Sequence, residues 1–325
     1  MWILYVIGGI ILFIIFPLLI VQYNVAWFLF KKYFTRNKKE NWTREPKIGD
    51  VEEEKMYEIG IKEFHDKNAS FKEDVKIESG EFSLAGEFYN FGFDRTVIIV
   101  AGRSEALTYC YFFAMPYKDL GYNVLAIDNR GHGYSTGKIN SLGLDEYKDI
   151  LNWARFLHDE KKQKSVIGHG VCIGSATILY ALIHNKEEGL GVDYFDAIIA
   201  DGMYVNFTES FKNHGIEKGF KRGLVPKMFF SIMKRKAHVD PYFGPIDCID
   251  KLDKPILFLY GKEDIYSVPE KSIELYEKCA TFKKIVWFDK GAHSRLKIND
   301  MVKYDREIGE FLNTINKGVV NEKTN

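Results

Sequence analysis

The chain has 325 residues, of which 46% are hydrophobic and 28% are charged, and its formal net charge at pH 7 is zero. These values are typical of a globular protein with one large domain plus additions or with two small domains, and the balanced charge argues against a nucleic-acid partner. The cysteines show no paired spacing and no adjacent histidine, so we expect neither a disulfide framework nor a zinc site, and a reducing compartment is favoured. We also expect no other metal and no cofactor. They are Cys110, Cys172, Cys248 and Cys279.

Residues 2–30 contain no charged side chain. This run is longer than the ~20 apolar residues that cross a bilayer, and it lacks the basic start and small-residue cleavage site of a signal peptide. Trp2 and Trp27 lie near its two ends, where aromatic rings prefer the membrane interface. The sequence therefore predicts a single membrane anchor at residues 1–30, with a buried core helix as the alternative.

Basic residues follow the apolar run at once, beginning with Lys31 and Lys32, and none precedes it. The positive-inside rule then predicts that the rest of the chain lies in the cytoplasm. We interpret residues 31–70 as a basic linker and a short surface helix, in which Tyr57, Ile61 and Phe64 share one face. The remainder divides into a domain at 71–318, with a lid at about 203–250, and a polar tail at 319–325.

From residue 71 onward, strand patterns alternate with helix patterns. This alternation predicts an α/β fold with a mostly parallel sheet covered by helices on both faces. The predicted helices cover residues 106–120, 145–158, 269–279 and 299–315, together with a helix that starts after Cys172. The predicted strands are residues 71–77 and 81–89, as an antiparallel pair, then 96–100, 123–127, 166–171, 194–200, 255–260 and 284–288.

One strand turns abruptly into a helix at Gly170-Val171-Cys172-Ile173-Gly174. Such an elbow holds its apical residue in a strained conformation at the edge of the sheet. Gly170 and Gly174 are expected there because a Cβ would keep the strand and the helix from closing. The apical residue is Cys172, and a helix N-terminus favours the reactive thiolate form of a cysteine.

Polar residues follow several of the other strands, and the carboxyl ends of parallel strands gather reactive groups at one edge of a sheet. Two of these strands are followed by Gly102-Arg103-Ser104-Glu105 and by Asp128-x-Arg130-Gly131-His132-Gly133-x-Ser135. Together with the elbow, these residues make the segment from Ile98 to Ser135 resemble the bacterial lysophospholipase, monoacylglycerol-lipase and serine-aminopeptidase-like group of the α/β-hydrolase fold. The resemblance implies an eight-stranded α/β-hydrolase domain with a short lid.

The resemblance also implies a nucleophile, an acid and a histidine in that chain order, which would be Cys172, Asp264 and His293. The backbone N–H groups of Arg103 and Ile173 would form the oxyanion hole. Glu263 is the alternative acid. The cysteine departs from the serine usual at this position, and a catalytically silent binding protein that keeps the fold is therefore a second interpretation.

The predicted lid interleaves apolar with basic residues between Phe220 and Lys236. This pattern suits either a surface that touches anionic lipid or a helix that packs its apolar face on the core. Together these features predict a membrane-anchored hydrolase that cleaves an ester or thioester, with a lipid-like acyl substrate favoured and membrane lipid as a partner. An acyltransferase with the same triad is the alternative among enzymes, and the sequence leaves the oligomeric state open.

Overall fold

The computed structural model describes residues 2–36, 42–187, 193–217 and 223–318. The predicted polar tail and residues 218–222 of the predicted lid lie outside the described residues. The strands are β1 (Lys72–Ser79), β2 (Phe82–Tyr89), β3 (Arg95–Val100), β4 (Asn123–Ile127), β5 (Ser165–Val171), β6 (Phe195–Asp201), β7 (Ile256–Gly261) and β8 (Lys283–Phe288). The helices are α1 (Trp2–Phe34), α2 (Val51–Gly60), α3 (Leu107–Ala114), α4 (Tyr147–Asp159), α5 (Ile173–Glu187), α6 (Phe207–Glu217), α7 (Leu224–Lys236), α8 (Pro269–Lys278), α9 (Leu296–Asn299) and α10 (Met301–Asn316).

The eight strands form one sheet in the order β1-β2-β4-β3-β5-β6-β7-β8. Strand β2 is antiparallel to both β1 and β4, and every other pairing is parallel. The central strands β3 to β7 are almost continuously buried, as expected for parallel strands with helices on both faces. The predicted α/β-hydrolase fold is confirmed, and the predicted strand boundaries differ from the observed ones by only one or two residues.

Two hydrophobic cores lie on the two faces of the sheet. One contains buried side chains of α4, α5 and α8 together with the end of α1 and part of α7. The other contains buried side chains of α2, α3 and α10. Cys172 contacts both cores, since it lies at the edge of the sheet that separates them.

Helix α1 continues past the predicted end of the apolar run, so residues 31–34 belong to the helix rather than to a linker. Its first part is open, and Phe13, for example, is 84% exposed. Its last part enters the hydrolase core, where Ala26, Phe30 and Phe34 are buried. The span that could cross a membrane by length and composition is Ile11–Phe34.

The segment predicted as a short surface helix is longer and more buried than expected. Helix α2 continues into a π-helical turn, Ile61–His65, and a 3-10 turn, Asp66–Phe71. Tyr57 and Phe64 are buried against α3, whereas Ile61 is partly exposed. This segment therefore belongs to the second core.

The connection between β6 and β7 contains α6 and α7, at the place of the predicted lid. Phe229, Ile232 and Met233 of α7 are buried, and Lys234 and Arg235 face solvent. The apolar side of α7 packs on the end of α1, with the rings of Phe34 and Phe229 5.9 Å apart. The apolar face of α7 thus packs on the core, which was one of the two alternatives. Contact of its basic face with lipid stays a prediction.

Candidate active site

Cys172 lies at the turn between β5 and α5, and its φ of +56° is in the left-handed region. A non-glycine residue adopts this conformation only where the surrounding structure imposes it. The glycines of the elbow allow the close approach, as predicted. A Cβ at Gly170 would lie 2.3 Å from the backbone nitrogen of Ser175, and one at Gly174 would lie 2.2 Å from the carbonyl oxygen of Val100. The Cys172 N–H donates to the carbonyl of Asp201 over 2.8 Å, which holds the turn against β6.

The structure brings the other two predicted triad residues to the same edge of the sheet. Asp264 follows β7 and His293 follows β8, and the Nδ1 of His293 lies 2.7 Å from the Oδ2 of Asp264. The same His293 ring also interacts with the side chain of Cys172. The Nδ1 edge of the imidazole thus binds the carboxylate while the ring also interacts with the cysteine, and a nucleophile–base–acid triad requires both interactions.

Asp264 is buried and fixed by its own loop. Its Oδ1 accepts hydrogen bonds from the backbone N–H groups of Tyr266 and Ser267, at 2.7 and 2.9 Å. Burial alone would raise the pKa of Asp264, but His293 and these two N–H groups keep it below its ordinary value. The neighbouring Glu263 is exposed and forms no part of this arrangement. The geometry therefore favours Asp264 over Glu263 as the acid.

The electrostatics of His293 oppose the effect of its burial. Burial alone would lower the pKa of the imidazole, but Asp264 and Cys172 together raise it well above its ordinary value. A proton on His293 is therefore stabilised by acceptors on both sides. This favours a histidine that accepts a proton from a nucleophile.

The candidate oxyanion residues flank Cys172. Ile173 is the first residue of α5, so its N–H is among those that a helix N-terminus leaves without an intrahelical partner. Arg103 lies in the loop between β3 and α3, and a Cβ at the preceding Gly102 would lie 3.7 Å from the Cβ of Cys172. This loop therefore approaches the nucleophile position closely. The side chain of Arg103 points elsewhere, as described below.

Sequence reasoning missed the contribution of β6, whose end also reaches the site. Asp201 is fully buried, and its Oδ2 accepts a 2.7 Å hydrogen bond from the hydroxyl of Tyr304. Its Oδ1 has no hydrogen-bond partner among the described residues. Burial raises the pKa of Asp201 to about 7. The pair Asp201-Gly202 would have been found by examining the end of this strand in the same way as the others.

Two histidines outside the triad have structural roles. His132 is buried in its own loop, with its ring nitrogens 3.0 Å and 2.6 Å from the carbonyl oxygens of Arg130 and Arg103. His169 faces away from Cys172 into the second core, between the hydroxyls of Tyr117 and Tyr304.

Known proteins resemble this chain in both sequence and structure. A family model described as alpha/beta hydrolase fold matches residues 95–233. The uncharacterized protein YqkD of Bacillus subtilis (strain 168) is 31% identical over 230 residues, which cover 68% of this chain and 72% of that protein. Protein ABHD12B of Homo sapiens is 27% identical over 165 residues, and the match covers 49% of this chain and 42% of the human protein.

Solved structures show the same fold at low sequence identity. One structure of the esterase Pf2001 of Pyrococcus furiosus superposes with a TM-score of 0.63 and 21% identity, and covers 85% of this chain and 98% of that one. A second crystal form of Pf2001 gives a TM-score of 0.61 at 24% identity, and covers 76% of this chain and 94% of that one. Most of the chain therefore has a counterpart in these structures.

Proposed function

This chain belongs to the α/β-hydrolase family, and we propose that it cleaves an ester or thioester bond through an acyl-cysteine intermediate. The observation that carries this proposal is the set of contacts around His293. Its ring binds Asp264 at 2.7 Å and interacts with Cys172, which lies on a strained elbow. The name esterase for the structurally similar Pf2001 supports the same reaction class.

In the first half of the proposed reaction, His293 takes the thiol proton of Cys172 and the sulfur attacks the carbonyl carbon of the substrate. The resulting oxyanion accepts hydrogen bonds from the N–H groups of Arg103 and Ile173; losing one such donor typically costs ~3 kcal/mol of transition-state stabilisation. His293 then gives its proton to the departing alcohol or thiol, which leaves an acyl thioester on Cys172. Asp264 stays ionised and stabilises the imidazolium.

In the second half, His293 removes a proton from water, and the hydroxide attacks the acyl thioester. A second oxyanion forms in the same place and collapses. The sulfur of Cys172 leaves and regains a proton from His293, and the carboxylic acid is released. A thiol is competent in both roles because it is more acidic and more nucleophilic than a hydroxyl.

We also propose that α1 anchors the protein in a membrane, with the hydrolase domain on the cytoplasmic side. The first part of α1 exposes large apolar side chains that no described part of the domain covers, such as Trp2, Phe13 and Phe16. Lys31 and Lys32 lie in its last turn, at the end from which the domain follows. A protease-protection assay on sealed membranes, combined with carbonate extraction, tests both the anchoring and the orientation.

The position of α6 and α7 beside α1 supports a lipid-like acyl substrate. Helix α7 packs on the end of α1, and Phe207 of α6 contacts Phe34 of α1, with ring centroids 5.2 Å apart. An anchor in the bilayer would therefore hold α6 and α7 close to the membrane surface. An acyl chain that leaves the bilayer there would have only a short distance to travel in water.

The central test is to trap the acyl-enzyme. The full chain in detergent is mixed with p-nitrophenyl esters of short and long acyl chains, quenched with acid and examined by peptide mass spectrometry. We expect one acyl group on Cys172, removable with neutral hydroxylamine, because thioesters are labile to this nucleophile. The Cys172→Ala variant should carry none, and Glu263→Gln should behave like the wild type.

Two outcomes would contradict the proposal. Ester turnover that persists in Cys172→Ala would place the nucleophile elsewhere. No acylation and no turnover with any chain length would favour a silent binding protein. An acyl-enzyme that forms but is released only by an added alcohol or thiol, and not by water, would identify an acyltransferase.

A further inference from the structure

The segment that follows α1 folds back over the loop that carries Arg103. We define the strap as the end of α1 and the described parts of the segment that follows it, residues 33–36 and 42–47, and the oxyanion loop as residues 101–106. The oxyanion loop has no regular secondary structure between β3 and α3. Its conformation therefore depends on side chains and backbone groups that contact it from outside.

The first contact joins the oxyanion loop to the end of α1. The Nη1 of Arg103 donates to the carbonyl of Tyr33 over 2.9 Å, and the guanidinium lies 5.1 Å from the centre of the Tyr33 ring. The carbonyls of the last helical turn have no partner within the helix and carry partial negative charge, so a cation at this position is stabilised. The side chain of Arg103 is thus bound to the end of α1.

The second contact acts through His132. The ring of Trp42 stacks on that of His132 with centroids 4.4 Å apart and an angle of 5° between planes. His132 in turn contacts the carbonyl of Arg103 at 2.6 Å. The carbonyl of Trp42 also accepts a hydrogen bond from the N–H of Gly133 over 2.8 Å. This bond holds the backbone of Trp42 beside the loop of His132, so that the two rings stay stacked. Trp42 is buried and has a φ of +55°, so it is held tightly in this position.

The third contact is ionic. The Nζ of Lys47 donates to the Oγ of Ser104 at 2.7 Å and to the Oε1 of Glu105 at 2.8 Å. Burial opposes the charge on Glu105, whereas Lys47 is half exposed, and the attraction between the two raises the pKa of Lys47 and lowers that of Glu105. The Glu105 carboxylate lies against Gly102, where a Cβ would be 2.4 Å from its Oε2. Lys47 therefore holds the side chain that covers the backbone next to Arg103.

We infer that Trp42 and Lys47 are positioning residues of the active site, and that the strap holds the oxyanion loop in the conformation that aims the Arg103 N–H at the substrate. This inference rests on the proposed function. Three consecutive residues, Arg103, Ser104 and Glu105, are each contacted by the strap, whereas none of the strap residues is a member of the triad. The strap should consequently act on the rate of the chemical step rather than on substrate affinity.

The test uses the full chain in detergent, with variants Trp42→Ala, Trp42→Phe and Lys47→Met. The matched control is Lys161→Met, which removes another ion-paired lysine; it binds Glu73 and lies before β5, whereas Cys172 lies after that strand. Amide hydrogen exchange of peptides covering residues 101–106 reports the order of the loop without requiring turnover. Steady-state kinetics with p-nitrophenyl butyrate separates kcat from KM.

We expect Trp42→Ala and Lys47→Met to speed exchange in residues 101–106 and to lower kcat roughly tenfold or more, with KM nearly unchanged, because misplacing one oxyanion donor removes part of its contribution. Trp42→Phe keeps an aromatic face for His132, so its exchange rate and kcat should stay close to those of the wild type. Lys161→Met should change neither the exchange rate nor kcat.

Unchanged exchange of residues 101–106 in both Trp42→Ala and Lys47→Met would overturn the inference. An equal loss in Trp42→Phe and Trp42→Ala would overturn the role of the ring stack. If the wild type turns over no ester, the proposed function fails, and the exchange measurement still decides whether the strap orders the loop.

Discussion

Gly202 lies directly against the ring of His293. A Cβ at Gly202 would lie 3.2 Å from the Cε1 and 3.3 Å from the Nδ1 of His293, and 3.7 Å from the Oδ2 of Asp264. The φ of Gly202 is also positive, at +62°. The end of β6 therefore supplies the surface on which the histidine rests, and a Cβ there would require the ring to shift by a few tenths of an ångström.

The first prediction follows from this contact. Gly202→Ala should reduce activity strongly, because the new methyl group displaces the His293 ring from Asp264. The matched control is Gly80→Ala, since Gly80 has nearly the same φ, +61°, and no atom near its Cβ position. Both variants should lose about 1 kcal/mol of unfolding free energy from the left-handed backbone. Thermal unfolding and ester turnover test this prediction. Equal activity in the two variants would contradict it.

The second prediction concerns the triad as a unit. Cys172→Ala, His293→Ala and Asp264→Asn should each reduce kcat by about a thousandfold or more, and the double variants should be little worse than the single ones. Glu263 is exposed and directly precedes Asp264, and Glu263→Gln should leave kcat unchanged. Independent, multiplicative losses in the double variants would show that these residues do not act together.

The third prediction is that alkylation selects Cys172. Of the four cysteines it is the one whose side chain is partly open, whereas Cys110, Cys248 and Cys279 are buried. Burial raises the pKa of Cys248 to about 12 and raises that of Cys110 and Cys279 as well. Limited treatment with iodoacetamide followed by peptide mass spectrometry should find Cys172 modified first. Equal labelling of all four in the folded protein would be inconsistent with a reactive nucleophile.

The fourth prediction concerns Asp201 and the pH dependence of stability. Its pKa is about 7 in the folded state and ~3.9 in the unfolded chain, so between these values the folded state binds the extra proton. The contribution of Asp201 to stability is therefore fully present below pH ~4 and is lost as the pH rises toward 7. Asp201→Asn should remove this dependence of the unfolding free energy on pH, and the variant should become more stable relative to the wild type as the pH rises from 5 to 8. Denaturant unfolding at several pH values checks it, and parallel curves for the two proteins would refute the assignment.

The fifth prediction concerns where the chain can be shortened. A version that lacks residues 1–20 keeps Ala26, Phe30 and Phe34 and should fold. A version that starts at Glu45 lacks the strap's Trp42 and uncovers Phe229 and the rest of the apolar face of α7. It should unfold at a clearly lower temperature and aggregate, because a large apolar surface becomes exposed. Size-exclusion chromatography and thermal unfolding test this, and equal melting temperatures for the two versions would contradict it.

The sequence predicted the sheet and the elbow because both depend on local patterns. Buried parallel strands appear as short apolar runs, and the glycines around Cys172 mark a turn that has no room for a Cβ. The placement of Asp264 and His293 came from a family resemblance and not from spacing, and the structure brings both to the end of the sheet where Cys172 lies.

The features that were missed depend on contacts between residues far apart in the chain. Trp42 lies in a polar segment that reads as a linker, and only the folded chain places it on His132. Arg103 was expected to offer its backbone, but nothing in the sequence connects its side chain with Tyr33, 70 positions earlier. The burial of Phe30 and Phe34 was also hidden, since apolar residues in a long run look alike whether they face lipid or protein.

Helix α1 has a mechanical consequence. From Leu18 to Phe34 it contains neither proline nor glycine, and its final turns are embedded in the hydrolase core. If α1 spans a bilayer, as proposed, the part of the helix after Pro17 and the domain move as one rigid body. Membrane helices adjust their tilt, on average about 20°, to the thickness of the lipid around them. A thinner or thicker membrane would therefore rotate the whole domain and change the angle at which Cys172 faces the lipid surface.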